Sequence, residues 1–160
     1  MSTFYKYVQL EFRLRRFFEQ WLKLVPALAS GVFAFALYLV TLAPGLYTED
    51  AGDFQTAALT LGIPHPSGYP GYVMLANLWS RVAGHSAFAV NVFSALAGAV
   101  AVVLLFQVAR ELKVRILPAL AGALALAVSL TWWRQSIVAE VYSLNGVAVM
   151  GMLWLAIRWY

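Results

Sequence analysis

The feature that most constrains this chain is a run of 20 residues, 24–43, that contains no charged side chain. As a helix, such a run covers about 30 Å, the thickness of the hydrocarbon layer of a bilayer. Residues 88–109 and 116–133 form two further uncharged runs, and a fourth opens at Val141 and ends at Arg158. Only 11% of the 160 residues are charged, against about 25% in an average soluble domain. A soluble core of this size needs a polar coat, and 11 basic and 7 acidic residues cannot supply one. An apolar and aromatic content of 62% equally excludes a disordered chain. The chain reads as an all-α integral membrane protein with about four transmembrane helices, over 24–43, 88–109, 116–133 and 141–160. The absence of cysteine excludes disulfides, thiolate metal sites and a cysteine nucleophile.

Charge placement predicts the orientation. Lys6, Arg13, Arg15, Arg16 and Lys23 precede the first run, Arg110, Lys113 and Arg115 join the second and third, and Arg158 closes the fourth. Nine of the 11 basic residues thus fall on one side, leaving Arg81 and Arg134 for the other. The positive-inside rule then predicts a cytoplasmic N-terminus and an extracytoplasmic loop over 44–87. Glu49, Asp50, Asp53 and Glu140 fall on that outer side. The formal charge of +4 is therefore a matter of topology. The expected partner is the lipid bilayer, and no nucleic acid is expected. The first run has a basic flank like a signal peptide but is too long, and no small-residue cleavage site follows, so it reads as an uncleaved signal anchor.

Residues 1–23 form a segment of their own. Tyr7, Leu10, Leu14, Phe17, Trp21 and Leu24 recur at helical spacing, which predicts a cytoplasmic amphipathic helix. It either lies against anionic headgroups or packs on a partner subunit. Within 44–87, the apolar stretch 72–83 is about a dozen residues long, which suits a juxtamembrane or re-entrant helix better than a span. Ala95/Ala99 and Ala121/Ala125 have the small-residue spacing of packed membrane helices.

Three clusters carry candidate chemistry. Asp50 and Asp53 lie three residues apart, on one side of a helix. Such a pair can hold a divalent cation, or one carboxylate can act as a general base. An Asp helix cap with an acid three residues on has the same spacing. His65 stands between Pro64 and Pro66 in a loop rich in proline and glycine. The prolines hold it extended, where its ring meets a ligand or simply bonds the loop. In the third cluster, Trp132 and Trp133 suit an aromatic belt at a span end. Arg134 faces a lipid-linked phosphate or ordinary headgroups. Glu140 and Asn145 sit at the start of the next apolar run, where polar groups are costly and often functional.

The segments Leu42-Ala43-Pro44, Asp50-Ala51-Gly52-Asp53-Phe54, Leu61-Gly62-Ile63-Pro64-His65-Pro66-Ser67-Gly68-Tyr69-Pro70 and Ala139-Glu140-Val141-Tyr142-Ser143-Leu144-Asn145 occur in this order. Together they resemble a family of polytopic membrane proteins related to the eukaryotic protein O-mannosyltransferases, in the GT-C glycosyltransferase superfamily. The resemblance runs from about residue 40 to residue 160. It implies inverting transfer of a sugar from a polyprenyl phosphate on the outer membrane face. It also implies that an acid of the first outer loop is the base, with Asp50 in the first acidic position and Asp53 in the second. A lipid phosphate leaving group calls for positive charge, which His65, Arg134 or a carboxylate-held metal would supply. His65, Tyr69, Arg134, Glu140, Tyr142 and Asn145 are the candidate substrate-binding residues, and Asp50 and Asp53 are the candidate catalytic and metal-holding pair. Members of such families have about twice the spans, so the resemblance implies an N-terminal part only. The alternative is a non-catalytic membrane subunit of a larger complex. Half of a transporter fits less well, because the charges sit at the surface rather than the midplane.

These readings share one geometric expectation. Asp50, Asp53, His65 and Glu140 should converge on one cavity at the membrane surface, with Arg134 at its rim. An apolar groove for a prenyl chain should open beside it.

Overall fold

The computed structural model describes residues 21, 24–66 and 68–160. The amphipathic helix expected over 1–23 lies, all but Trp21, outside the described residues. Those described form seven helices and no strand: α1 (Leu24–Val40), α2 (Asp50–Thr60), α3 (Pro70–Ala83), α4 (Ala87–Glu111), α5 (Ile116–Val128), α6 (Leu130–Ser136) and α7 (Val141–Trp159). A chain in hydrocarbon must satisfy its backbone internally, and helices do this one segment at a time.

Length and composition let α4 and α7 each cross a membrane. α5 and α6 form a third candidate crossing, bent by 62°. α1 is apolar, but its bounds Leu24–Val40 place it among the shorter helices. Two or three spans are therefore supported among the described residues, where the sequence predicts four. The span expected over 116–133 is broken at Ser129, whose backbone is extended at φ −65° and ψ 134°. Side-chain hydroxyls hold two of the carbonyls at its edge. Tyr38 Oη donates to Ala127 O at 3.0 Å and Ser129 Oγ donates to Leu126 O at 3.0 Å.

α4 is the central helix, packed against α2, α3, α5, α6 and α7. Ser86 starts it by accepting from Ala89 N–H at 3.2 Å, an ordinary hydroxyl cap. One core joins α1, α4 and α5 through Ala34, Tyr38, Ala95, Ala99, Phe106 and Ala123. Small side chains let helix backbones close on one another, which replaces the hydrophobic drive that lipid does not provide. Ala95 and Ala99 are buried as expected, but on α5 the buried alanines are Ala119, Ala123 and Ala127, while Ala121 and Ala125 are exposed. Alanines at alternate positions make both sets equally small, and packing selects one.

Trp132 and Trp133 are half-buried and pack against this core. Trp133 Nε1 donates to Thr41 Oγ1 at 2.8 Å and Trp132 Nε1 to Gly98 O at 3.4 Å. A Cβ at Gly98 would collide with the Ser136 side chain, so glycine there lets α6 fold back onto α4. A second core, Phe54, Ala58, Tyr72, Ala76, Val90 and Ala139, lies under α2 and α3.

Candidate functional site

The site is built from the segment before α2 and the connection from α6 to α7. Two fully buried amides fix the first of these. Gln55 on α2 accepts from Tyr47 N–H at 3.0 Å and donates to Gly45 O at 3.1 Å and Asn91 Oδ1 at 2.8 Å. Asn91 on α4 donates in turn to Ala43 O at 2.9 Å. Ala43 N–H bonds to Ile137 O at 3.0 Å, which ties the same segment to the connection before α7. Buried amides with every partner satisfied specify one arrangement. Neither Gln55 nor Asn91 is singled out by the sequence motifs, although an amide inside the apolar run 88–109 is the available signal.

α2 begins abruptly. Glu49 has φ 63° and ψ −150°, a conformation that is costly for any residue but glycine and is kept where surrounding structure forces it. Gly52 N–H bonds to Glu49 O at 3.0 Å, and a Cβ on Gly52 would stand 2.5 Å from Tyr47 O. The glycine of the Asp-Ala-Gly-Asp motif therefore admits the Tyr47 carbonyl. Asp50 is the first helical residue and not the cap, and the cap residue Glu49 makes no side-chain cap bond. The capping-box alternative fails for this reason. Asp50 and Asp53 instead lie in the first turn, where the helix dipole favours carboxylates.

Opposite stands Glu140, immediately before α7. Its N–H donates to Ser94 Oγ at 3.2 Å, and Tyr72 Oη lies 2.9 Å from the same hydroxyl. The Glu140 side chain makes no cap bond. Burial, reinforced by the charge of Asp50, raises its pKa from the ordinary carboxylate value, with His65 acting in the opposite sense.

A cavity of about 580 Å³ opens between these walls, lined by Glu49, Asp50, Arg134, Gln135, Glu140 and Tyr142 among others. Beside it runs an apolar groove of about 670 Å³ between α3 and α7, lined by residues including Tyr69, Tyr72, Leu75, Tyr142, Leu144 and Asn145. Tyr142 lines both. The structure therefore brings Asp50, Glu140, Arg134 and Tyr142 together, and places Tyr69 and Asn145 in the adjoining groove. Asp53 and His65 line neither space. Asp53 is one helical turn beyond a cavity whose α2 wall ends at Ala51. His65 packs edge-on against Phe54 and Tyr69, each at 5.3 Å between ring centroids, and its Nε2 is buried without a hydrogen-bond partner. His65 nonetheless stands near enough to Glu140 to act on its charge. Among the described residues no group of three His, Asp or Glu side chains stands together, so any cation at Asp50 and Asp53 would take further ligands from a substrate phosphate or water. A carboxylate facing a guanidinium can take a proton from a hydroxyl and hold a phosphate in one space.

Fold and site together define an all-α membrane protein with a charged cleft and an adjoining apolar groove at one end of its helices. Residues 50–160 match the family described as the Protein O-mannosyl-transferase TMEM260 N-terminal domain. The chain belongs to this family. It is 36% identical over 138 residues to the mouse (Mus musculus) Protein O-mannosyl-transferase TMEM260, covering 82% of this chain and 20% of that protein. It is 25% identical over 128 residues to Protein O-mannosyl-transferase tmem260 of Dictyostelium discoideum, covering 78% and 16% respectively. The chain thus spans a fifth or less of the length of these curated relatives. No solved structure matches it.

Proposed function

We propose that this chain is the N-terminal module of a membrane glycosyltransferase that moves a mannosyl group from a polyprenyl phosphate to a protein hydroxyl. Asp50 takes the hydroxyl proton as the acceptor oxygen attacks the anomeric carbon from the face opposite the phosphate. The bond from that carbon to the phosphate oxygen breaks, the configuration inverts, and the lipid phosphate leaves. Arg134 offsets the charge gathering on the phosphate, and the prenyl chain lies in the groove past Tyr69 and Asn145. Tyr142 stands where head and tail of such a donor meet. The clustering of basic residues in 110–115 and before α1 supports an extracytoplasmic site.

The observation that carries this reading is the pairing of a cleft holding Asp50, Glu140 and Arg134 with an apolar groove that shares Tyr142. Soluble sugar donors have no use for the groove. The test is Asp50→Asn, which keeps shape and removes the base, assayed with polyprenyl-phosphate mannose and an acceptor peptide. Turnover should fall at least roughly a hundredfold while the protein elutes and melts as before. Unchanged turnover overturns the assignment of Asp50. A second reading, a non-catalytic subunit, draws on α7, which exposes Val149, Met152, Leu153 and Leu155. It requires a complex whose activity ignores Asp50→Asn.

A further inference from the structure

At the end of the bundle away from Asp50, residues 112–115 join α4 to α5 in a tight reversal. Lys113 holds φ at 64°, and Val114 N–H bonds back to Ala109 O at 3.0 Å. The reversal returns Arg115 beside Arg110, and both line a cavity of about 610 Å³ whose other walls are Ile116, Leu117 and Pro118. Neither arginine has a carboxylate partner among the described residues. Arg110 donates through Nη1 to Val114 O, while its Nε is buried with no hydrogen-bond partner. That nitrogen is closed off, so a ligand in the cavity meets the other guanidinium donors of Arg110 and the exposed Arg115. Leu112 is 60% and Leu117 78% exposed in the same region. Positive forks and bare apolar side chains therefore stand together.

We propose that this turn binds the phosphate of an anionic phospholipid headgroup, with Arg110 and Arg115 on the phosphate and Leu117 along the acyl chains. Two guanidinium groups suit a phosphate because each offers paired N–H donors. The apolar wall selects a lipid over a free anion, since only a lipid satisfies both halves of the cavity. Basic pockets between membrane helices hold such headgroups in general. The site lies at the far end of α4 from Arg134 and does not depend on the reaction proposed there.

The test is lipid retention by the delipidated, purified chain in detergent, measured by native mass spectrometry. Phosphatidylglycerol and phosphatidylcholine of matched chains are the probes. Phosphatidylglycerol should be retained preferentially. At roughly one phosphate contact per arginine, Arg115→Gln should weaken its binding about fivefold, and Arg110→Gln with Arg115→Gln about 25-fold. Arg81→Gln, at the other end of the bundle, should leave retention unchanged. Arg115 is exposed, so its single variant carries the test even where Arg110→Gln fails to fold. Equal retention of both lipids, or unchanged binding in Arg115→Gln, overturns the proposal. Displacement of phosphatidylglycerol by millimolar inorganic phosphate would mark a free-anion site and overturn the lipid assignment.

Discussion

Replacing Asn91 by leucine should loosen the segment that carries Asp50. The side chain is fully buried and has no route to water. It donates to Ala43 O at 2.9 Å and accepts from Gln55 Nε2 at 2.8 Å. Losing two buried hydrogen bonds removes about 1–3 kcal/mol, and the Ala43 carbonyl left behind adds about 1 kcal/mol or more. The expected loss is about 2–4 kcal/mol, or roughly 5–10 °C in Tm for a chain of this size. Gln55 keeps Gly45 O and Tyr47 N–H as partners, so the damage should concentrate at Ala43. The assay is thermal unfolding in detergent, combined with hydrogen exchange of the Ala43 amide, which bonds to Ile137 O. Gln55→Leu and the double variant complete a cycle, in which the shared bond should appear as roughly 1 kcal/mol of coupling. Additive single variants, or unchanged exchange at Ala43 in Asn91→Leu, would refute the claim that this amide pair anchors the site.

Three further outcomes follow from particular contacts. The raised Glu140 pKa means that the folded protein disfavours its charged form, so its contribution is fully present below the unfolded-state value and is lost as pH rises through the folded one. Glu140→Gln should therefore melt higher than the parent at pH 8 and not at pH 4, and a constant difference across that range would contradict the shift. Gly52→Ala places a Cβ against Tyr47 O and should cost about 1–3 kcal/mol, read as a lowered Tm. A Tm equal to the parent's would mean that the carbonyl has room to move. Leu46→Cys and Lys113→Cys sit on exposed positions at opposite ends of the bundle, and in sealed vesicles they should label from opposite sides. Labelling of both from one side would end the proposed topology.

Much of the architecture was legible in the order of residues. An uncharged run of membrane length has few alternatives to a helix, because hydrocarbon offers no partner for an unpaired peptide group. The short length of 72–83 marked α3 as something other than a span, and the acids and prolines of 44–71 marked one end of the molecule as its polar end. Those properties are local and additive along the chain. Only the tertiary structure chose Ala119, Ala123 and Ala127 over Ala121 and Ala125 for the α5 interface, since both sets are equally small and only the neighbouring helix tells them apart. Contacts beyond α5 also decided the break at Ser129, where Tyr38 receives the freed carbonyl region and Gly98 admits Ser136. The site itself depended most on packing. Spacing made Asp50 and Asp53 look like a pair, yet Asp50 shares its cavity with Glu140 and Arg134, which are remote in sequence. Two amides buried between α2 and α4 set that meeting, and hydrogen bonds between distant segments have no periodicity for a sequence to display.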